Sequence, residues 1–340
     1  MNKQSITNPT KGRGIKNLLL FLVLFILLLA LFFLSVNTGS IKLDFVQLFK
    51  GLFIEYNADV ATVVNLRFPR IIISVMAGAS LAVAGALFQA VLKNPLADPG
   101  ILGISGGAGF FAVIATALLP QFFFAAPLFS FIGGLIAFGM VYGLAWKGSL
   151  SPLRIILIGV AVNALFSGLS QAVNSMSGGT QSGVASIVEG NITMKTWDDV
   201  RVLALFCIVG LVLALLCIRW CDLMGLEDRT VRGLGINVNL VRLLVSITAV
   251  LLVSGTTAIV GPISFLGLLV PHIGRIFVGS EHKFLITFST LLGAFIFLAA
   301  DTLGRTVAYP YEINASIIMS VVGGIAFVIL LKRSDHISEK

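Results

Sequence analysis

The chain has 340 residues, 57% of them hydrophobic and only 11% charged, with a mean hydropathy of +1.03. A soluble domain needs far more charge to cover its surface, which argues against a water-soluble fold. The formal net charge of +8 does not point to nucleic acid, because the basic residues stand at the ends of apolar blocks and form no stripe interleaved with aromatics.

The N-terminal stretch, Met1–Asn17, is basic and precedes a long apolar run, Leu18–Val36. A cleavable signal peptide would have a shorter apolar core and a small-residue cleavage site, so a retained first helix is expected. Further charge-poor blocks fall at about 70–92, 101–119, 123–146, 154–174, 201–219, 240–260, 262–278, 284–303 and 313–331. With the first, at 17–36, they predict about ten membrane spans. The expected fold is an all-α polytopic membrane protein. Residues 1–16 form a basic N-terminal segment, 17–333 a single transmembrane domain and 334–340 a tail. An even number of spans puts both termini on one side, and lysines and arginines divide about sixteen to seven in favour of the cytoplasm.

Two outer loops are long, about 37–69 and 175–200. Arg67 and Arg70 flank Phe68-Pro69 at the start of the second span, and Arg305 ends the ninth. They run against the positive-inside bias, which suggests an external anionic partner or, alternatively, snorkelling to lipid phosphates. Small residues line one side of the second span at Gly78, Ala82 and Gly85. A spacing of four recurs at Gly103 and Gly107 and at Gly139 and Gly143, a pattern that lets helix backbones approach closely in lipid.

No G-x-x-x-x-G-K-[ST] occurs, so the chain does not hydrolyse ATP by that route. The cysteines, Cys207, Cys217 and Cys221, and the histidines, His272, His282 and His336, have no metal-ligand spacing. The spans hold essentially no ionisable residues, which argues against a proton-driven carrier, though sodium coupling through backbone carbonyls stays open. Energy for transport would then come from another subunit. The longest inner loop, about 220–239, alternates in sign through Asp222, Glu227, Asp228, Arg229 and Arg232 around Gly233-Leu234-Gly235. That composition suits short amphipathic helices on the cytoplasmic face, or else a plain solvated loop.

Arg67-Phe68-Pro69-Arg70 resembles the R-x-P-R element of the iron-chelate and vitamin B12 importer permeases, the FecCD-like family of ATP-binding-cassette (ABC) importers. Gly85 to Gly109, GALFQAVLKNPLADPGILGISGGAG, is similar to that family's long signature, and Phe265 to Lys283, FLGLLVPHIGRIFVGSEHK, to its G-L-x-x-P-H-x-x-R segment. Ala300-Asp301-Thr302-Leu303-Gly304-Arg305 and Pro310-Tyr311-Glu312-Ile313 resemble its A-D-x-x-x-R and P-x-E-[IL] elements. The resemblance covers nearly the whole chain in order.

It implies a type II importer permease of ten helices in the cell membrane, not an enzyme. Two permease subunits, identical or related, would enclose the pathway. Two cytoplasmic ATPase subunits would hold the ATP and Mg, and this chain itself would bind no cofactor. By the same resemblance, Arg67, Arg70 and Arg305 receive glutamates of an extracytoplasmic binding protein. Asp222, Glu227, Arg229, Arg232, Gly233, Leu234 and Gly235 belong to the loop that couples to the ATPase, and Ser151, Pro152 and Leu153 to a cytoplasmic gate. Val188-Glu189-Gly190-Asn191 departs from the family's W-x-x-G-S element, and the coupling loop diverges except around Leu234-Gly235.

The implied cargo is an iron complex. Leu226–Gly235, Ile192–Lys195 and Ala258–Gly261 look similar to haem-importing members, while the main motifs fit ferric-siderophore members equally and leave vitamin B12 open. A self-sufficient ion-coupled carrier is the competing class.

Overall fold

Residues 9–39, 42–122, 124–147, 149–150, 152–176 and 182–338 are described by a computed structural model of the chain. In lipid every backbone polar group must be satisfied within the protein, and among the described residues the solution is almost wholly helical. The helices are α1 (Pro9–Val36), α2 (Phe45–Phe53), α3 (Ala58–Leu92), α4 (Ile104–Leu118), α5 (Ala125–Ala145), α6 (Pro152–Met176) and α7 (Ser182–Glu189). They continue as α8 (Trp197–Leu216), α9 (Ile218–Met224), α10 (Asp228–Gly233), α11 (Val238–Val260), α12 (Leu266–Val278), α13 (His282–Thr306) and α14 (Ala315–Ser338). Among the described residues, the only strands are a two-residue antiparallel pair, Trp146–Lys147 with Ser149–Leu150.

The ten expected blocks correspond to α1, α3, α4, α5, α6, α8, α11, α12, α13 and α14. Seven of these are long and apolar enough to cross a membrane, and three shorter apolar helices complete the set. The boundaries differ from expectation where polar chemistry, not hydropathy, sets them. Helix α3 starts at Ala58 rather than at 70, because Asn57 caps it by accepting from the backbone N–H groups of Asp59 and Val60. Helix α1 takes in 9–16 and α14 runs through 334–338, segments expected outside the spans; residues 1–8 and 339–340 lie outside the described residues.

Helices α4 and α12 are short, with 15 and 13 residues, or about 20 Å each against a hydrocarbon core of about 30 Å. The partly buried, non-helical segments 94–103 and 261–265 precede them. Irregular backbone at membrane depth is tolerated only where protein satisfies it, and side chains do so here. Asp98 Oδ1 accepts from Gly100 N at 2.8 Å, and Gln89 Nε2 donates to the carbonyls of Ala97 and Gly267 at 3.3 and 3.2 Å.

Helix α3 is the axis of the fold. It packs on α13, α11, α8 and α12, while α4 packs on α5, α6 and α11. Phe88, Leu87, Ile73, Leu266 and Phe297 form the centre of the core and are fully buried. Close approach along α3 rests on glycine: a β-carbon at Gly78 would strike the Gly293 carbonyl of α13, and one at Gly85 the Gly267 carbonyl of α12. Gly107 of α4 likewise meets Gly133 and Ala137 of α5, whereas Gly139 and Gly143 face open space. Large apolar side chains on α6, α8 and α14, among them Leu157, Ile208 and Val328, are exposed, as surfaces that meet lipid or another membrane subunit must be.

Candidate functional sites at the two ends of the bundle

The bundle has two polar ends. The one where α1 stops and α3 starts is called distal, and the one where α3 stops and α11 starts proximal.

At the distal end the structure brings Arg67, Arg70 and Arg305 together around one cavity of about 350 Å³. Thr193, Met194, Tyr309 and Glu312 complete most of its wall. The three arginines differ in what they touch. Arg70 is buried; its Nε donates to Asp301 Oδ1 at 2.9 Å and its Nη1 to Glu312 Oε2 at 2.7 Å. Arg305 is also buried, donates to the Ser35 carbonyl and hydroxyl of α1, and lies 3.3 Å from Asp301 Oδ2. Arg67 is half-buried at the rim, where its Nη1 donates to the Val36 carbonyl at 2.7 Å.

This corrects the expectation of helices essentially free of ionisable groups: Asp301, fully buried in α13, balances two guanidinium groups. Opposite charge is what allows such groups inside a lipid-embedded bundle. With Asp301 counted beside Glu312, three arginines still face two carboxylates, so the field at the cavity is positive. Burial pulls the Glu312 carboxyl upward, but hydrogen bonds and charge from Arg70, with Thr193 and Arg305, hold it below the ordinary carboxylate range.

At the proximal end the expected polar loop folds as α9 and α10, and its residues sort into two sets. Glu227, Arg229, Arg232, Gly233, Leu234 and Gly235 are exposed. Asp222 turns toward α13, where its Oδ1 accepts from His282 N at 3.0 Å and lies 2.7 Å from His282 Nδ1. It thereby caps a helix whose own N-cap residue, Glu281, makes no side-chain cap bond. Asp228 is the second anchor. It accepts from Lys93 Nζ at 2.9 Å, just past the end of α3, and from Arg242 Nη2 of α11 at 3.0 Å. Of the expected gate residues, Ser151 lies outside the described residues, Pro152 opens α6, and Leu153 is exposed.

Asp228→Ala is expected to lower stability by about 1 kcal/mol, since both of its ion pairs are partly open to solvent. Burial raises the Asp228 carboxyl, but Lys93 and Arg242 outweigh it and hold the value below the ordinary 3.8. Its stabilisation is therefore complete above that value and is lost only as pH falls through the lower folded value. The difference in thermal midpoint between wild type and Asp228→Ala should accordingly stay constant from neutral pH to about pH 5.

Sequence reasoning singled out the three arginines but gave no role to Asp301, Glu312, Ser35, Thr193 or Lys93. Asp301 stands four residues before Arg305, a spacing that places an acid and a base on one helix face.

Residues 27–333 match the model of the FecCD transport family. The chain belongs to that family. It is 42% identical over 321 residues, 94% of this chain and 98% of the relative, to the haem-iron transport system permease IsdF of Staphylococcus aureus strain Newman. The IsdF of strain bovine RF122 / ET3-1 gives the same figures.

Among solved structures, a metal-chelate type ABC transporter in an inward-facing conformation superposes with a TM-score of 0.76 at 25% identity, covering 92% of this chain and 99% of that one. PsaBC from Streptococcus pneumoniae, in complex with Fab, shares the fold, with a TM-score of 0.57 at 17% identity over 84% and 95% of the two chains. This FecCD member is thus a multi-span ABC importer permease and not an enzyme. Neither the vitamin B12 reading nor the ion-coupled carrier finds support among these relatives.

Proposed function

We propose that this FecCD permease admits an iron complex, haem foremost, handed to its distal end by an extracytoplasmic binding protein and released toward the cytoplasm at its proximal end. The observation that carries the substrate class is the 42% identity to a haem-iron permease across nearly the full length of both chains. Both termini are cytoplasmic in this reading. A second permease subunit, identical or related, completes the pathway, and two ATPase subunits, holding ATP and Mg, seat against the exposed face of α9 and α10.

The distal arginine cavity supports docking of an acidic partner, because opposite charge steers encounter and fixes register. Burial divides the labour. Arg70 and Arg305 are engaged with Asp301 and shape the field from below, while Arg67 at the rim is placed to meet an incoming carboxylate.

Arg67→Glu is expected to weaken binding of a haem-loaded binding protein about tenfold or more and to reduce the salt dependence of its association rate. Surface plasmon resonance on the reconstituted complex at two ionic strengths measures both quantities. Unchanged affinity and salt dependence would remove Arg67 from the docking surface. Arg305→Glu is a poorer probe, since it also breaks the buried Asp301 network. Uptake of haem compared with ferric siderophores by the same complex tests the cargo.

A further inference from the structure

We propose that the groove between α5 and α11 at the proximal end binds the phosphate of an anionic phospholipid, with Arg242 as its principal donor. The groove is a cavity of about 350 Å³ lined by Phe138, Tyr142, Asn239, Arg242, Leu243 and Ser246. Tyr142 lies three residues from the end of α5 and Arg242 four from the start of α11, about 5–6 Å along each axis. Positions this near the ends of membrane helices are where tyrosine and arginine meet headgroups. Phe138 and Leu243 supply apolar wall. A polar mouth above an apolar channel matches a lipid rather than a soluble ion.

The charge is unbalanced in the same sense. Asp228 is the carboxylate paired to Arg242, and Lys93 shares it, so two cations face one anion. Arg242 Nε is buried without a hydrogen-bond partner, and so is Ser246 Oγ one helical turn deeper. Unsatisfied buried donors of this kind are costly, and a small rotation of the Arg242 side chain toward the groove would present the first of them to a phosphate oxygen. The ester carbonyls that follow a lipid's phosphate toward the hydrocarbon would answer the second. Basic pockets between transmembrane helices bind anionic headgroups in this manner. A second copy of the chain is a worse occupant, because a two-fold contact at the groove would set Arg242 near its own like charge.

The test uses the full-length permease, purified with its partners and exchanged into mixed micelles of equimolar phosphatidylglycerol and phosphatidylcholine, with retained lipids counted by native mass spectrometry. The wild type should retain phosphatidylglycerol about fivefold over phosphatidylcholine. Arg242→Gln should bring this to parity. So should Ser246→Leu, which fills the groove but leaves the Arg242–Asp228 pair in place, so that a loosened α10 cannot account for the loss. Preference persisting in either variant overturns the proposal. Two other results would also overturn it: loss of the preference on adding excess inorganic phosphate, which marks a free-anion site, and a change of subunit stoichiometry in Ser246→Leu, which marks a protein contact. Lipid retention is read without transport, so the outcome stands apart from the substrate assignment.

Discussion

Replacing Asp301 by alanine is expected to destabilise the permease by about 3–5 kcal/mol, the cost typical of removing one partner from a buried ion pair. The carboxylate is fully buried in α13, with Arg70 Nε at 2.9 Å and Arg305 Nε at 3.3 Å. The contact with Arg70 is an aligned hydrogen bond. The one with Arg305 is close in distance, but neither atom has a hydrogen-bond partner, so Arg70 is the stronger partner. Without Asp301, two buried guanidinium groups would face each other from α3 and α13, helices that pack along an extended seam. Glu312 would still hold Arg70, and Ser35 would still hold Arg305, which keeps the loss finite. Adding Arg70→Met to Asp301→Ala should recover part of it, because it removes one of the two like charges that would face each other; residues sharing a network are not additive. Thermal unfolding of the detergent-purified chain measures the cycle. A single mutant within about 1 kcal/mol of wild type would show that the network does not stabilise the fold.

Much of the architecture was legible because uninterrupted apolar blocks of about twenty residues have few other uses. The errors lie where other forces act. The hydropathy boundary at 70 stopped short at Arg67 and Arg70, yet α3 continues outward through Asp59, Thr62 and Asn65 to the Asn57 cap. Blocks 101–119 and 262–278 looked like full spans, but Gly103, with φ +74°, and Gly261, with φ +78°, mark turns that delay the helices.

At the distal end the motifs already held Asp301 and Glu312, yet Arg70 and Asp301 are 231 residues apart, and no local spacing announces such a pair. The same limit applies at the proximal end. Alternating charge marked the loop as polar, but only the folded helices separate Asp222 and Asp228, turned toward the membrane helices, from Arg229 and Arg232, turned outward.

Gly85→Ala and Gly139→Ala are expected to act with opposite signs, although both place one methyl group on a transmembrane helix. At Gly85 the new carbon would land on the backbone of Gly267, which has little room to yield. Gln89 donates to the Gly267 carbonyl, and the Leu268 backbone N–H donates to the Phe265 carbonyl. Pro99 closes the far side, 2.9 Å from where a Gly267 β-carbon would stand. With backbone on one side and a pinned turn on the other, α12 must tilt away from α3, and overpacking of this kind costs about 3 kcal/mol. At Gly139 nothing lies within 4 Å of the added carbon. There alanine's better helix propensity should make the change neutral or stabilising by up to about 1 kcal/mol. Thermal midpoints of the two purified variants give the comparison directly. Equal behaviour would mean that α3 and α12 do not meet backbone to backbone. A clear loss at Gly85 alone would show that the short helix α12 is held in place by α3 and not by its own length in the bilayer.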